Sequence, residues 1–459
     1  MFNKYKKTLL SANLIPYVRC YKSTLKKPST IYLASNVPIM HEQLGLIEAS
    51  QQIQAGELDP KKYLRACFAR ANELEPELHA FVNRASLESL LQNLGEINSG
   101  PLWGIPVAVK DIINTVELPT TNGSPIYVNH QPTSDAEIIR LIKQLGGLVF
   151  GKTVTTEFAW RNPGPTVNPW NPLHTPGGSS SGSAAVVAKG IVPLSLGSQT
   201  LGSIIRPAAY CGVVGFKASY GVIPTSGVFP FSHSLDHVGL FTRSVADMIF
   251  AFNLLMQRPN QAATQQSPRI GILKTPFDAK MSDEQARTLE LTVLKLAKAN
   301  ISVQAVELPL SYATVLESIF CVIETEAAIV HQHHIEKHST EISEHIHALV
   351  ENGSAYTPAQ YSAALQLQAH LKEEIKQSFQ GVDVLLTAPA TGEAPLGLQA
   401  TGDPIFCSLW SFLGLPAITM PVARSKNNLP LGIQLVGQLQ QDTRLLEIAK
   451  VVEAALAAG

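Results

Sequence analysis

The sequence predicts an α/β protein: a single large domain built in α/β/α layers around a central β-sheet. Stretches with strand-like and helix-like patterns alternate along the chain, which is the order expected of a layered α/β domain. No internal repeat or interdomain linker interrupts them. Although 459 residues could form two or three domains, the chain is 45% hydrophobic and only 15% charged. This composition favours one large core.

The first elements are two helices and a strand. A helix is predicted from Leu44, and a second one starts after Asp59 and Pro60. Asp is a favourable N-cap, and Pro is tolerated in the first helical turn. Residues 107–113 then alternate as a strand does, with Lys110 inside an otherwise apolar run. A buried lysine in such a strand is costly unless it is paired or neutral.

The later elements continue the alternation. Asp135 is predicted to cap a helix that leads into a strand at 148–150. Farther along, strands at 270–274 and 303–309 flank a helix over 283–299. The remaining predicted elements are long helices within 311–380, strands at 382–388, 417–423 and 432–437, and a helix over 444–457.

Residues 1–41 form a basic N-terminal extension that contains seven Lys or Arg residues and no acidic residue. A basic, acid-free segment with serines is typical of a mitochondrial transit peptide, although here Lys outnumbers Arg. The alternatives are an unstructured leader and a start at Met40. The folded domain is therefore predicted over 42–459, with the cytoplasm as its location and the mitochondrial matrix as the alternative.

Several classes of protein are disfavoured by the composition. No apolar run reaches the roughly 18 residues that a transmembrane helix needs, so no membrane association is expected. Direct nucleic-acid binding is not expected, because no basic stripe occurs beyond the extension. The five cysteines are odd in number and widely scattered, which is typical of reduced thiols.

The stretch 174–215 is rich in Gly and Ser but is not a linker, because it also carries apolar blocks. Small residues allow backbones to approach closely, and hydroxyl groups lie among them in high density. This combination indicates nucleophilic catalysis with a backbone oxyanion hole.

This stretch resembles the signature region of the amidase signature family of serine hydrolases. The two motif blocks of that family correspond to 177–183 (GGSSSGS) and 197–204 (GSQTLGSI), and its strand lysine corresponds to Lys110. The resemblance extends from about Leu44 to the C-terminus. It implies a large mixed β-sheet between helical layers.

The resemblance also implies the roles of the site residues: Ser203 as nucleophile, Ser179 as bridging serine and Lys110 as ultimate base. A free lysine has a pKa of about 10.4, so it accepts a proton only where burial lowers that pKa. The peptide bond between Gly178 and Ser179 is expected to be cis. The expected oxyanion hole consists of backbone N–H groups of Thr200, Leu201, Gly202 and Ser203.

The function implied by the resemblance is hydrolysis of a carboxylic amide to acid and ammonia, without a metal or other cofactor. The expected pocket is apolar, which favours a neutral amide, although ordinary core packing is the alternative for each lining residue. A homodimer is left open. The residues expected to bind the substrate are Phe158, Trp160, Cys211, Phe229 and Trp410.

The alternative within the family is the glutaminase component of glutamyl-tRNA(Gln)/aspartyl-tRNA(Asn) amidotransferase. That component holds the glutamine carboxylate with an arginine from its C-terminal half. No arginine occurs between Arg287 and Arg424 in this sequence, which favours a stand-alone amidase. A non-catalytic partner protein with this fold is disfavoured, because all three catalytic residues are present.

Three other patterns are weaker. Residues 146–153 match a P-loop, but their middle residues favour a buried strand. Residues 178–182 match the nucleophile elbow of α/β-hydrolases, but the preceding prolines exclude the strand that an elbow needs. Six histidines between 331 and 347 are predicted to lie on a solvated helical surface rather than to bind a metal, with a helix break at Ser339 and Thr340.

Overall fold

The computed structural model describes residues 44–97, 99–258, 267–308, 312 and 314–458. The predicted N-terminal extension, residues 1–41, lies outside the described residues. Within them, strands form one eleven-stranded sheet in the order β1-β3-β2-β4-β6-β5-β10-β11-β9-β7-β8. The strands are β1 Phe81–Arg84, β2 Pro106–Lys110, β3 Leu148–Thr153, β4 Leu194–Gln199, β5 Val214–Lys217, β6 His237–Thr242, β7 Arg269–Lys274, β8 Ser302–Glu307, β9 Val384–Thr387, β10 Ala417–Arg424 and β11 Pro430–Val436.

The sheet is mixed, as expected. Strand β2 lies parallel between β3 and β4, and β7 lies parallel between β8 and β9. The other neighbours in the sheet are antiparallel. Strands β2, β3 and β4 are buried along their whole length, which explains their almost continuous apolar sequences.

Helices accompany the strands throughout the described chain. They are α1 Leu46–Gln54, α2 Pro60–Leu78, α3 Leu87–Glu96, α4 Glu137–Gln144, α5 Ser181–Ala188, α6 Ile205–Cys211, α7 Val245–Leu255, α8 Asp283–Lys298, α9 Val315–His338, α10 Glu344–Ala355, α11 Pro358–Glu374, α12 Ile405–Phe412 and α13 Asp442–Ala458.

The helices form layers on the two faces of the sheet. Helices α5 and α6 contact each other and pack on the central strands, whereas α13 contacts α7 and α8 and packs on β10 and β11. Helices α6 and α13 both lie against β10 and β11, and β11 is buried along its whole length, which indicates that both of its faces are covered. Helices α9, α10 and α11 pack together and form a second apolar cluster with α12 and the loops beside it.

Most predicted elements are present near their expected positions. Asp59 accepts a hydrogen bond from the Lys61 N–H at 2.9 Å and caps α2, and α9 ends at His338 before the expected break. One cap was predicted wrongly: the N-cap of α4 is Ala136, while the Asp135 carboxylate binds Lys143 at 2.5 Å. No helix in the described ranges is both long and apolar enough to cross a membrane.

Candidate active site

The topology places Lys110 at the carboxyl end of β2, between two strands that run parallel to it. Val109 of β2 is opposite Leu196 of β4, so Lys110 reaches the last residues of β4. Its Nζ donates hydrogen bonds to Ser179 Oγ at 2.6 Å and to Ser198 Oγ at 2.8 Å. The carboxyl ends of parallel strands are a common place for active sites in open α/β sheets.

The environment of Lys110 favours an uncharged amine. The side chain is completely buried, and burial lowers its pKa well below the ordinary value for lysine, although the negative charge of Asp236 partly opposes this effect. A buried amine loses the hydration that stabilises its charged form. Lys110 is therefore suited to accept a proton.

Ser179 and Ser203 line the same cavity beside Lys110. The Gly178–Ser179 peptide bond is cis, as the resemblance implies. The Ser180 N–H donates to the Ser203 carbonyl oxygen at 3.3 Å and so joins the two serine segments. Ser203 is partly exposed while Ser179 is buried, which suits a nucleophile that meets substrate and a serine that transfers a proton behind it.

The turn after β4 presents the expected oxyanion-hole donors. The N–H groups of residues 200–203 donate no hydrogen bond to any other described residue. The next two N–H groups, of Ile204 and Ile205, are bound by Gln199 Oε1 at 2.8 and 3.0 Å. This side chain fixes the start of α6 and leaves the preceding N–H groups for a ligand oxygen.

A half-buried carboxylate, Asp236, supports the same turn. It accepts hydrogen bonds from Thr200 Oγ1 at 2.6 Å and from the N–H groups of Phe231 and Ser232 at 2.8 and 3.0 Å. Burial raises its pKa to about 6, and these hydrogen bonds oppose the rise. Asp236 therefore connects the oxyanion turn to the loop that carries Phe231, a wall of the cavity.

The cavity has a volume of about 460 Å³. It extends from the serines toward helices α9, α10 and α12. It is lined by Thr156, Ala159, Trp160, Arg161, Ser179, Thr200, Leu201, Ser203, Arg206, Phe231, Lys280, Leu316, Phe320, His345, Gln399, Ala400, Thr401, Gly402, Asp403, Pro404, Ile405 and Ser408.

The structure places one of the five expected substrate-binding residues, Trp160, in this lining. The other four lie elsewhere. Phe158 and Phe229 pack in an aromatic cluster, with 5.3 Å between their ring centroids. Cys211 is buried in α6 and donates to the Pro176 carbonyl oxygen. Trp410 is buried in α12. Aromatic and thiol side chains such as these four can line an apolar pocket or pack in the core. The sequence therefore could not show which of these two places each residue occupies.

The cavity is also less apolar than expected. Arg161, Arg206 and Lys280 line it, with Asp403 as the acidic residue of the lining. The arginine-free interval between Arg287 and Arg424 therefore does not leave the cavity without cations, because both arginines come from the N-terminal half. These cations correct the expectation of an apolar pocket, whereas the neutral amide that it favoured stays a prediction.

Two of the six histidines are buried rather than solvated, which corrects the surface prediction. His331 is 0% exposed and His334 is 4% exposed, and the His334 ring stacks on Phe158. Burial is the main cause that lowers their pKa values to about 3 and about 4. They continue the helical spacing of the apolar residues Ile323 and Ala327, a signal that was present in the sequence. Within the described residues, no group of three or more possible ligands could hold a metal.

The two competing motifs have structural roles. The P-loop-like segment forms strand β3, and its Lys152 is buried beside Asp111, with a pKa lowered by burial to about 8. Ser180, the elbow serine, is completely buried and donates to the Ser198 carbonyl oxygen at 3.1 Å. Residues 169–179, which lead into it, form no strand in the structure.

Comparison with known proteins agrees with this fold. The chain matches the family model described as Amidase over residues 62–446. It is similar to a crystal structure of an amidase, with 29% identity, a TM-score of 0.81, and coverage of 90% of this chain and 99% of that one. A peptide amidase from Stenotrophomonas maltophilia is 26% identical, with a TM-score of 0.77 and coverage of 92% and 98%.

The fold and the similarity to these amidases together define the class of protein: a hydrolase of α/β architecture that cleaves amide bonds. Within that class, the chain belongs to the amidase signature family. A curated relative from Halothermothrix orenii, a subunit of its glutamyl-tRNA(Gln) amidotransferase, is 31% identical over 464 residues, which cover 90% of this chain and 97% of the relative.

Proposed function

We propose that this protein hydrolyses a primary carboxamide to a carboxylic acid and ammonia through an acyl-enzyme on Ser203. The observation that carries the proposal is the buried Lys110 amine, 2.6 Å from Ser179 Oγ, in a site whose cavity also contains Ser203. An uncharged lysine next to a hydroxyl is a base that can activate a serine at neutral pH.

In the proposed reaction, Ser203 Oγ attacks the carbonyl carbon and passes its proton to Ser179, which passes its own proton to Lys110. The carbonyl oxygen becomes an oxyanion and accepts hydrogen bonds from the N–H groups of the turn 200–203. When the C–N bond breaks, the proton returns through Ser179 to the leaving nitrogen, and ammonia departs. Water then cleaves the ester on Ser203 by the same proton path.

The test combines covalent labelling with ammonia release. Ser203→Ala is expected to lose labelling by a fluorophosphonate and all hydrolysis. Lys110→Met is expected to lower kcat by about 10²- to 10⁴-fold, because the base is lost. Ser226→Ala, at an exposed serine outside the cavity lining, is the control. A label found on Ser180 by mass spectrometry would contradict the assignment of the nucleophile.

A second candidate is the glutaminase component of a tRNA-dependent amidotransferase. The name of the Halothermothrix orenii relative favours it, and so do the cations that line the cavity, since glutamine carries a carboxylate. The two candidate functions differ in whether the chain needs a partner protein and tRNA to be active. Glutamine hydrolysis that appears only with a partner protein and tRNA would support the second candidate and would overturn the first.

A further inference from the structure

Arg161 differs from the other cations of the cavity because its guanidinium has no polar partner among the described residues. Lys280 Nζ is 3.1 Å from Asp403 Oδ2. The guanidinium of Arg206 donates to the carbonyl oxygens of Gly402 and Gly178 at 2.8 and 2.7 Å, and to Thr401 Oγ1 at 3.0 Å. Within the described residues, the Arg161 side chain forms no hydrogen bond and no ion pair.

The position of Arg161 is held by the fold. The Trp160 ring stacks on Phe231, with 5.2 Å between ring centroids, and the Arg161 guanidinium lies 4.8 Å from the centre of the Trp160 ring. A guanidinium over an aromatic face is favourable. The aromatic pair therefore holds an exposed cation at the wall of the cavity.

The backbone of this segment is strained. Phe158, Ala159 and Arg161 have φ values of 48°, 63° and 35°, a region that residues other than glycine rarely adopt. The buried carboxylate of Glu157 fixes the segment by accepting hydrogen bonds from Ser124 Oγ at 3.1 Å and from the Ser343 N–H at 3.3 Å. Strain that the surroundings maintain is characteristic of functional sites.

Among the described residues that line the cavity, no unpaired carboxylate compensates the positive charge of Arg161. Asp403, the acidic residue of the lining, is bound by Lys280. Burial lowers the pKa of Arg206, and the charge of Arg161 adds to that effect, so the two guanidinium groups are near each other. A concave wall with excess positive charge concentrates anions, and guanidinium matches a carboxylate with two parallel hydrogen bonds.

We infer that the substrate is the monoamide of a dicarboxylic acid, and that Arg161 binds the carboxylate at the far end of its acyl group. This inference rests on the proposed function, because ammonia as leaving group carries no substituent and the anion must belong to the acyl part. Glutamine contains the same carboxylate but adds an ammonium group. Since Asp403 is already bound by Lys280, that ammonium finds no unpaired carboxylate among the described residues of the lining.

The experiment compares kcat/KM for two matched series: the monoamides of malonic, succinic, glutaric and adipic acids, and neutral straight-chain primary amides of equal length. The wild type is expected to prefer one of the monoamides over its neutral counterpart, and glutaramate over glutamine. Arg161→Gln is expected to lower that preference by about 10- to 100-fold, because a hydrogen-bonded charge pair is lost. The control Arg65→Gln, at an exposed arginine of α2, should keep the preference.

A second measurement, the salt dependence of KM, uses the wild type and therefore does not depend on whether a variant folds. In the wild type, the KM for the preferred monoamide is expected to rise with salt concentration while the KM for the neutral amide does not, since salt screens exposed charges. Equal salt responses, or an unchanged preference in Arg161→Gln, would overturn the role of Arg161. If no amide of either series released ammonia, the proposed function itself would fail.

Discussion

At the scale of single residues, burial determines which ionisable groups can act. The family resemblance implied the role of Lys110, and the apolar residues around it in its strand predicted its burial, which is complete in the structure. Asp236 was not predicted, because nothing near it in the sequence shows that it binds Thr200, 36 residues earlier. Ser198 was likewise missed as a partner of Lys110, although it lies in the signature stretch.

The carboxylate of Asp236 gives a prediction about pH. Its hydrogen-bond partners are all donors, so protonation below its pKa of about 6 weakens the support of Thr200 and Phe231. Its negative charge also raises the pKa of Lys110 against the larger effect of burial. Asp236→Asn is expected to lower kcat by about 10-fold or more, because a charge-assisted hydrogen bond is lost, and to move the acid limb of the kcat/KM profile to lower pH.

The measurement is a pH–rate profile from about pH 5 to about pH 9, where the rate rises as the essential base loses its proton. Asp283→Asn, at an exposed residue of α8, is the control. A lower kcat with an unmoved acid limb would show that Asp236 only supports local structure. The shift in the limb is therefore the decisive result.

At the scale of elements, the sequence predicted the helices and strands better than their arrangement. The apolar stretches predicted β2 and β3, and capping residues predicted α2. The order of strands in the sheet depends on contacts between residues far apart in the chain, as between β5 and β10, and no local pattern encodes them. The charged wall of the cavity was missed for the same reason, since Arg161 and Asp403 come from opposite halves of the chain.

Helix α9 supports the active-site loop through one buried carboxylate, Glu326, which is 2% exposed. It accepts hydrogen bonds from Ser232 Oγ at 2.6 Å, from the Ser234 N–H at 3.1 Å and from Tyr361 OH at 2.7 Å. All these partners are donors. A glutamine side chain in place of Glu326 would direct its N–H₂ group at one of these donors and leave that donor without an acceptor.

Glu326→Gln is accordingly expected to lower the free energy of unfolding by about 1–3 kcal/mol, the usual effect of leaving buried polar groups unsatisfied. KM should rise as well, because the loop carries Phe231. Urea denaturation and steady-state kinetics would measure both effects. Glu336→Gln, at an exposed position of the same helix, is the control, and a Glu326 variant as stable as that control would contradict the role of Glu326.

At the scale of the whole molecule, the candidate site is assembled from elements across the sheet. Lys110 comes from β2, and Ser179 and Ser203 precede α5 and α6. Arg161 follows the short turn Glu157–Ala159, and residues 399–404 precede α12. One chain therefore supplies the proposed base, both serines, the proposed oxyanion donors and the cavity walls. The proposed steps use no residue from a second chain.

We accordingly predict that the purified chain acts alone. Its specific activity toward its preferred amide should stay constant on dilution from about 1 μM to about 10 nM, because an active site completed by a second copy would be lost as the assembly dissociates. Activity should also persist in EDTA without ATP, tRNA or another protein, since the proposed steps use only Lys110, Ser179, Ser203 and backbone N–H groups. Light scattering at each concentration would show whether a dimer forms. Activity that falls in parallel with a dimer, or that requires a partner and tRNA, would contradict an autonomous site and would favour the amidotransferase component.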